Sequence, residues 1–166
     1  MQPIKIVGID PGLASTGIGV ISGRRDKVQS YAFGAIQTQA RESTACRLCA
    51  IYSRLLELFQ SEKPDLIVVE DIFSLDRFPQ SGIVLGKVCG VIMLAGHQTG
   101  SAIEEIPVRE AKQILTGNGN AAKEQLETAV RKILRAPKPI RPFHASDALG
   151  LALIGLFRYV GARRVC

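Results

Sequence analysis

Four residues in this chain have types and spacings that could do chemistry together: Asp10, Glu70, His144 and Asp147. Asp10 closes the apolar run Ile4-Lys5-Ile6-Val7-Gly8-Ile9 and is followed by Pro11-Gly12. Glu70 closes a second apolar run, Leu66-Ile67-Val68-Val69. His144 and Asp147 stand three apart at the head of an apolar, helix-like segment, a spacing that puts both side chains on one helix face. Strand ends and helix starts are where a scaffold presents side chains to a site. Two carboxylates on neighbouring strand ends, joined by a His and an Asp from one helix, make an oxygen-rich cage. Such a cage suits magnesium or manganese, and two such ions suit in-line attack on a phosphodiester. Each residue also has a plainer use. Asp10 could make the turn before Pro-Gly, Glu70 could be a surface carboxylate, and Asp147 could favour a helix N-terminus through its dipole. A lone His is more often structural. The four together favour the site. Asp71 points to the other side of the pleat and is left out.

The elements that must carry these groups follow from the apolar pattern. Ile4 to Asp10 reads as a buried strand, Gly17 to Ile21 as a second and Ser30 to Thr38 as a third, linked tightly enough to pair antiparallel. Leu48, Ile51, Leu55, Leu58 and Phe59 recur at helical spacing within a helix from Ser43 to Ser61, and Glu62-Lys63-Pro64-Asp65 stops it. Leu66 to Glu70 is short, continuous and rich in β-branched residues, as a central buried strand should be. Ser74 to Ser81 is polar, contains Pro79 and reads as a loop. Gly82 to Gln98 is apolar enough for a helix in spite of Gly86, Gly90 and Gly96, which lower helix propensity but would allow close packing with another helix. Ala102 to Ile106 reads as the fifth strand, and Pro107 suits the first turn of a helix reaching Leu115. A turn at 116–120 leads to a helix from Ala121 to Arg135. The proline-rich 136–142 must be extended, and the final helix runs from Phe143 or His144 to about Tyr159. The expected fold is α/β, a five-stranded mixed sheet flanked by helices, with the first and fourth strands adjacent.

Composition narrows the function class. With 166 residues, one domain over 1–166 is expected. A net charge of +6 and a pI near 9.4 favour a polyanionic partner. No charged and then apolar leader stands at the N-terminus, and no uninterrupted apolar run approaches bilayer length, so a cytoplasmic protein without membrane contact is expected. Cys46 and Cys49 have redox or zinc spacing but lie inside a helix without a second pair. They read as ordinary buried or partly buried thiols of a reducing compartment.

Gly8-Ile9-Asp10-Pro11-Gly12, Val68-Val69-Glu70-Asp71-Ile72-Phe73 and His144-Ala145-Ser146-Asp147-Ala148-Leu149 resemble, in order, the motif blocks of the RuvC family of Holliday-junction resolvases. Val108-Arg109-Glu110-Ala111-Lys112-Gln113 and Gly117-Asn118-Gly119-Asn120-Ala121-Ala122-Lys123 resemble that family's basic segment. The likeness spans about Ile4 to Phe157. It implies a ribonuclease-H-like fold, a homodimer, and metal-dependent cutting of two strands at a four-way DNA junction. The products would carry a 5′-phosphate and a 3′-hydroxyl. The resemblance makes Asp10, Glu70, His144 and Asp147 the catalytic and metal-binding set. It implies Mg2+, with Mn2+ able to substitute and two ions per site. His144 would bind metal, or orient or deprotonate the attacking water. Lys112, Lys123 and Arg109 would contact DNA phosphates. Phe73 would stack on an unpaired base, with Phe78 a second candidate. Gly82 to Gln98 resembles the dimer helix. A RuvA–RuvB branch-migration partner is implied by the family alone. The chain departs from the family across Ser74 to Gly86, and at Lys87 and Cys89, where Gln and Arg are usual. These changes bear on junction opening and sequence preference and leave the acidic site alone.

Three other readings fit less well. Asp10-Pro11-Gly12 to Thr16-Gly17 is similar to the phosphate loop of actin-like ATPases, but those need a second lobe. A RuvX-type RNA nuclease would lack the glycine-rich helix and the basic segment. A junction-binding protein that no longer cuts would not need all four site residues.

Overall fold

The structure is a computed structural model and describes residues 3–24, 27–71 and 79–159. Five strands, β1 (Ile4–Asp10), β2 (Ser15–Arg24), β3 (Lys27–Gln37), β4 (Leu66–Asp71) and β5 (Ala102–Pro107), form one sheet in the order β3-β2-β1-β4-β5. β2 pairs antiparallel with both β1 and β3, while β1–β4 and β4–β5 are parallel. This is the expected mixed sheet, with the two acid-bearing strands side by side. β2 and β3 are longer than their apolar patterns indicate. Pairing with a neighbour, rather than burial on a face, carries their outer residues in the ladder.

Among the described residues, five helices cover the sheet: α1 (Thr44–Glu62), α2 (Pro79–Gln98), α3 (Val108–Thr116), α4 (Lys123–Leu134) and α5 (Phe143–Arg158). Strand alternation divides the core in two. Val7, Ile9, Ile67 and Val69 face α1 and α2, meeting Ile51, Leu55, Phe59, Val88 and Ile92. Ile6, Ile21, Leu66 and Val68 face the other way, onto Leu149, Ala152 and Leu153 of α5, with Leu126 and Val130 of α4 behind. α5 is buried nearly throughout, which explains its continuous apolar sequence.

Local signals set the ends. The Ser43 hydroxyl caps α1 by accepting from the Cys46 N–H at 3.2 Å. Lys63 closes it in the left-handed region at φ 49°. Pro79 opens α2, where a loop to Ser81 is expected from the sequence. A proline at a helix start costs nothing, because its missing N–H would be unpaired there anyway. Pro107, expected inside the first turn of α3, ends β5 and caps the helix instead.

Two further expectations change. Cys46 and Cys49 are exposed free thiols, and only Cys89 of the described cysteines is buried. α2 is long and apolar enough to cross a membrane, with a mean hydropathy of 1.2 over Gln80–Gln98 and 28% of it buried. Lys87 and the glycines interrupt the apolar run without shortening the helix. That holds by length and composition only: Val88, Ile92 and Ala95 are fully buried against α1 and the sheet.

Candidate active site

The site begins at the adjacent ends of β1 and β4. Gly8 lies beside Val68 and Ile9 beside Val69 in the parallel register. Asp10 and Glu70 are the next residues on each strand. Alternation turns both toward the α5 side, with Ile6 and Val68, and turns Asp71 toward the opposite layer.

The final helix reaches them because the sheet has no side chains in its way. A Cβ on Gly8 would lie 1.9 Å from the Ala148 carbonyl oxygen, and one on Gly17 would lie 2.0 Å from that of His144. The first turns of α5 therefore rest backbone against backbone on β1 and β2. From there His144 Nδ1 stands 2.5 Å from Asp10 Oδ2, and Asp147 follows one turn on. The Ser146 hydroxyl, fully buried, donates to the Phe143 carbonyl at 2.8 Å and secures that first turn.

A cavity of about 140 Å³ collects Asp10, Glu70, Lys112, Lys123, His144 and Asp147, with Leu126 and Leu151 in its apolar wall. Two larger grooves of about 610 Å³ on α3 and α4 hold one carboxylate each, so size does not mark the chemistry here. The electrostatics do. Burial, then the charge of Asp10 and a hydrogen bond to it, push the Glu70 carboxyl up to about 8; Lys112 opposes the shift. Burial and the Asp10 charge push Asp147 up to about 6 against Lys123, His144 and Lys112. The hydrogen bond to Asp10 raises the His144 imidazole. Asp147 Oδ1 is buried with no hydrogen-bond partner.

Three carboxylates thus converge, two of them, Glu70 and Asp147, pushed toward their protonated forms, and one oxygen lacks a donor that burial ordinarily demands. Hard oxygen donors in this condition fit a divalent cation. Among the described residues no three His, Cys, Asp or Glu groups are already closed into a coordination shell. The His144 imidazole holds Asp10 Oδ2, and Asp10, Glu70 and Asp147 would offer their carboxylate oxygens to such a cation.

The structure brings Asp10, Glu70, His144, Asp147, Lys112 and Lys123 into one cavity. Arg109 is exposed and outside it, with its stem under the turn between α3 and α4; a Cβ on Gly119 would meet Arg109 Cγ at 2.9 Å. Phe73 and Phe78 lie outside the described residues. Two contributors escaped the sequence reading. Gly17 makes room for His144, and its signal was there as a small residue in a strand. Gln113 holds the turn that leads to Lys123, donating to the Gly117 carbonyl at 2.9 Å and accepting from the Gly119 N–H at 3.0 Å. Nothing in its local sequence marks that role.

The sheet order, with β2 antiparallel beside a parallel β1–β4–β5 set, places the chain in the ribonuclease-H-like class. A family model described as crossover junction endodeoxyribonuclease RuvC matches residues 6–155. The RuvC of Chlorobium phaeovibrioides is 39% identical over 160 residues, covering 96% of this chain and 84% of that one. The RuvC of Carboxydothermus hydrogenoformans is 37% identical over 165 residues, covering 95% and 99%. Thermus thermophilus RuvC, solved in complex with a Holliday junction substrate, superposes with a TM-score of 0.85 at 30% identity, covering 93% of each chain. The chain belongs to the RuvC family, and its enzyme class is that of a Holliday-junction-resolving endonuclease.

Proposed function

We propose that this chain, as a single nuclease domain over 1–166, nicks two symmetric strands of a four-way DNA junction in the cytoplasm during recombination and repair. The observation that carries the reading is the convergence of Asp10, Glu70, Asp147 and His144 on one small, acid-strained cavity flanked by two lysines.

Asp10, Glu70 and Asp147 would hold the cation, with Asp10 the central ligand and His144 a further candidate. The ion is Mg2+, with Mn2+ able to substitute, and two ions per site. When bound, the metal supplies charge for the phosphoryl oxygens and lowers the pKa of bound water. The protein's own groups do the rest. Asp10 fixes the His144 ring through Nδ1, as a carboxylate orients an imidazole in other hydrolases. This leaves Nε2 to take the proton of an attacking water. Lys112 and Lys123, beside the carboxylates, hold the phosphate of the strand to be cut. Arg109 reaches phosphates further along, and Phe73 stacks on an unpaired base.

The working form is a homodimer built on α2. Ile83 and Leu94 are 62% and 51% exposed on it, and nothing lies within 4 Å of where a Cβ on Gly86 or Gly90 would sit. A second copy would cover this flat apolar stripe and set two cavities for two strands. A RuvA–RuvB branch-migration complex is the partner that family membership implies.

The test is cutting of an immobile four-way DNA junction with magnesium, beside a linear duplex and an RNA hairpin. Paired nicks in the junction alone are expected. Binding without cutting would mean a junction-binding protein, and cutting of the hairpin instead would mean an RNA nuclease on the same fold.

A further inference from the structure

The link from α4 to α5 is held by a buried carboxylate that the chemistry does not touch. Residues 136–142 include Pro137, Pro139 and Pro142, so three of its backbone nitrogens carry no donor. Ile140 is its anchor. The Ile140 side chain is fully buried, and its backbone N–H donates to Glu127 Oε1 at 2.9 Å. Glu127 is itself only 4% exposed, on the core side of α4 with Leu126, Val130 and Leu134. Arg131 Nε stands 3.2 Å from the same oxygen, close enough for an ion pair but not aligned as a hydrogen bond. A carboxylate taken this far out of water carries a desolvation penalty that an apolar residue would avoid. Its presence therefore needs a reason beyond packing.

Position in the chain supplies one. Glu127 lies one helical turn after Lys123, and Ile140 lies four residues before His144. A single hydrogen bond thus ties the helix that begins with Lys123 to the segment that delivers His144 and Asp147. Beyond Ile140 the path continues under control: the Arg141 guanidinium sits 4.1 Å from the Phe143 ring centre, and the Ala145 N–H donates to the Pro142 carbonyl at 2.9 Å.

We propose that Glu127 is a positioning residue for cleavage: its carboxylate fixes the link through the Ile140 amide, so that Lys123 and the His144–Asp147 pair meet over Asp10. This rests on the junction-cutting reading above.

The experiment compares wild type with Glu127→Gln, Glu127→Ala and Glu127→Asp. Single-turnover cutting, junction affinity, folded fraction and hydrogen exchange at the Ile140 amide are measured in parallel. Glutamine keeps an acceptor at the same reach, alanine removes it, and aspartate withdraws it by one methylene. The alanine variant should bind within about twofold of wild type but cut roughly 10- to 100-fold more slowly, the scale of a small misplacement remote from the chemistry. Glutamine should restore the rate to within about threefold. If the alanine protein does not fold, the aspartate protein should show the same split between rate and affinity, with faster exchange at Ile140. A folded alanine or aspartate variant that cuts at the wild-type rate overturns the proposal. So does a loss of rate that only tracks lost folded protein and is not rescued by glutamine. Wild-type protein that cuts no junction sinks the underlying reading, and this proposal with it.

Discussion

Under α5, a side chain added at Gly8 or Gly17 would strike backbone atoms at 1.9 and 2.0 Å, whereas on α2 one added at Gly86 or Gly90 would meet nothing within 4 Å. The same residue type does opposite work on the two sides of the sheet. Beneath α5 the missing side chains are consumed within the chain: a helix presses onto two strands and brings His144 to Asp10. On α2 they leave a strip free of side chains between the exposed Ile83 and Leu94. The first region builds the candidate active site, and the second accounts for the proposed pairing of two such sites.

The contrast can be broken at its chemical end first. Asp10→Asn removes the shared partner of His144 and Glu70. Cutting should fall by roughly 10³-fold or more, since both the cation and the His144 base depend on Asp10, with junction binding retained. A gel-based cleavage and binding assay checks both. Gly17→Ala should come next. The new methyl must displace the start of α5, costing about 1–3 kcal/mol in overpacking. Cutting should fall further than the lost stability explains, which thermal melts and rates measured side by side would show. The matching change on the other region, Gly90→Ala, should leave the isolated fold as stable or slightly more so.

The acid cluster gives a pH signature. Glu70 and Asp147 are both raised in the folded chain. Without a cation each favours the fold while protonated. That stabilisation is fully present below the unfolded value and is lost as pH rises through about 6 for Asp147 and about 8 for Glu70. Melting temperatures of chelated protein should therefore fall over this range. Glu70→Gln should flatten the upper part, and magnesium should restore stability most at the alkaline end. Cutting should rise with pH over the same interval, as the cation competes better with fewer protons.

Leu94→Asp carries the comparison to α2. Sedimentation should show the dimer shifted to monomer, with monomer stability changed by no more than about 0.5 kcal/mol, as for an exposed position. The smallest effect belongs to Asp71→Asn. Its side chain leaves the opposite face of β4, so cutting should stay within about threefold of wild type.

The gathering of the candidate residues into one cavity was legible because they end strong patterns. Asp10 and Glu70 close apolar runs, and His144 and Asp147 open one, so periodicity alone located three of the elements that carry them. The adjacency of β1 and β4 was required if their acids were to meet, and right-handed crossover allowed it. What the sequence hid was reach. Gly17 reads as a strand glycine, and only the packed helix makes it a seat for His144. Arg109 and Lys112 are one helical turn apart and looked alike, yet one faces the cavity and the other braces the α3–α4 turn. The start of α2 was misplaced because Pro79 serves equally as a breaker and as a first helical residue. Glu127 gave no signal at all, since its partner is a backbone amide 13 residues away.

The most direct test of the account is an immobile four-way junction labelled on all four strands and incubated with wild-type protein in magnesium or in chelator. Nicks are expected at symmetric positions in two opposing strands, leaving 5′-phosphate and 3′-hydroxyl ends, with no cutting in chelator. Cutting that persists without a divalent cation, or that falls equally on all strands and on linear duplex, would contradict it.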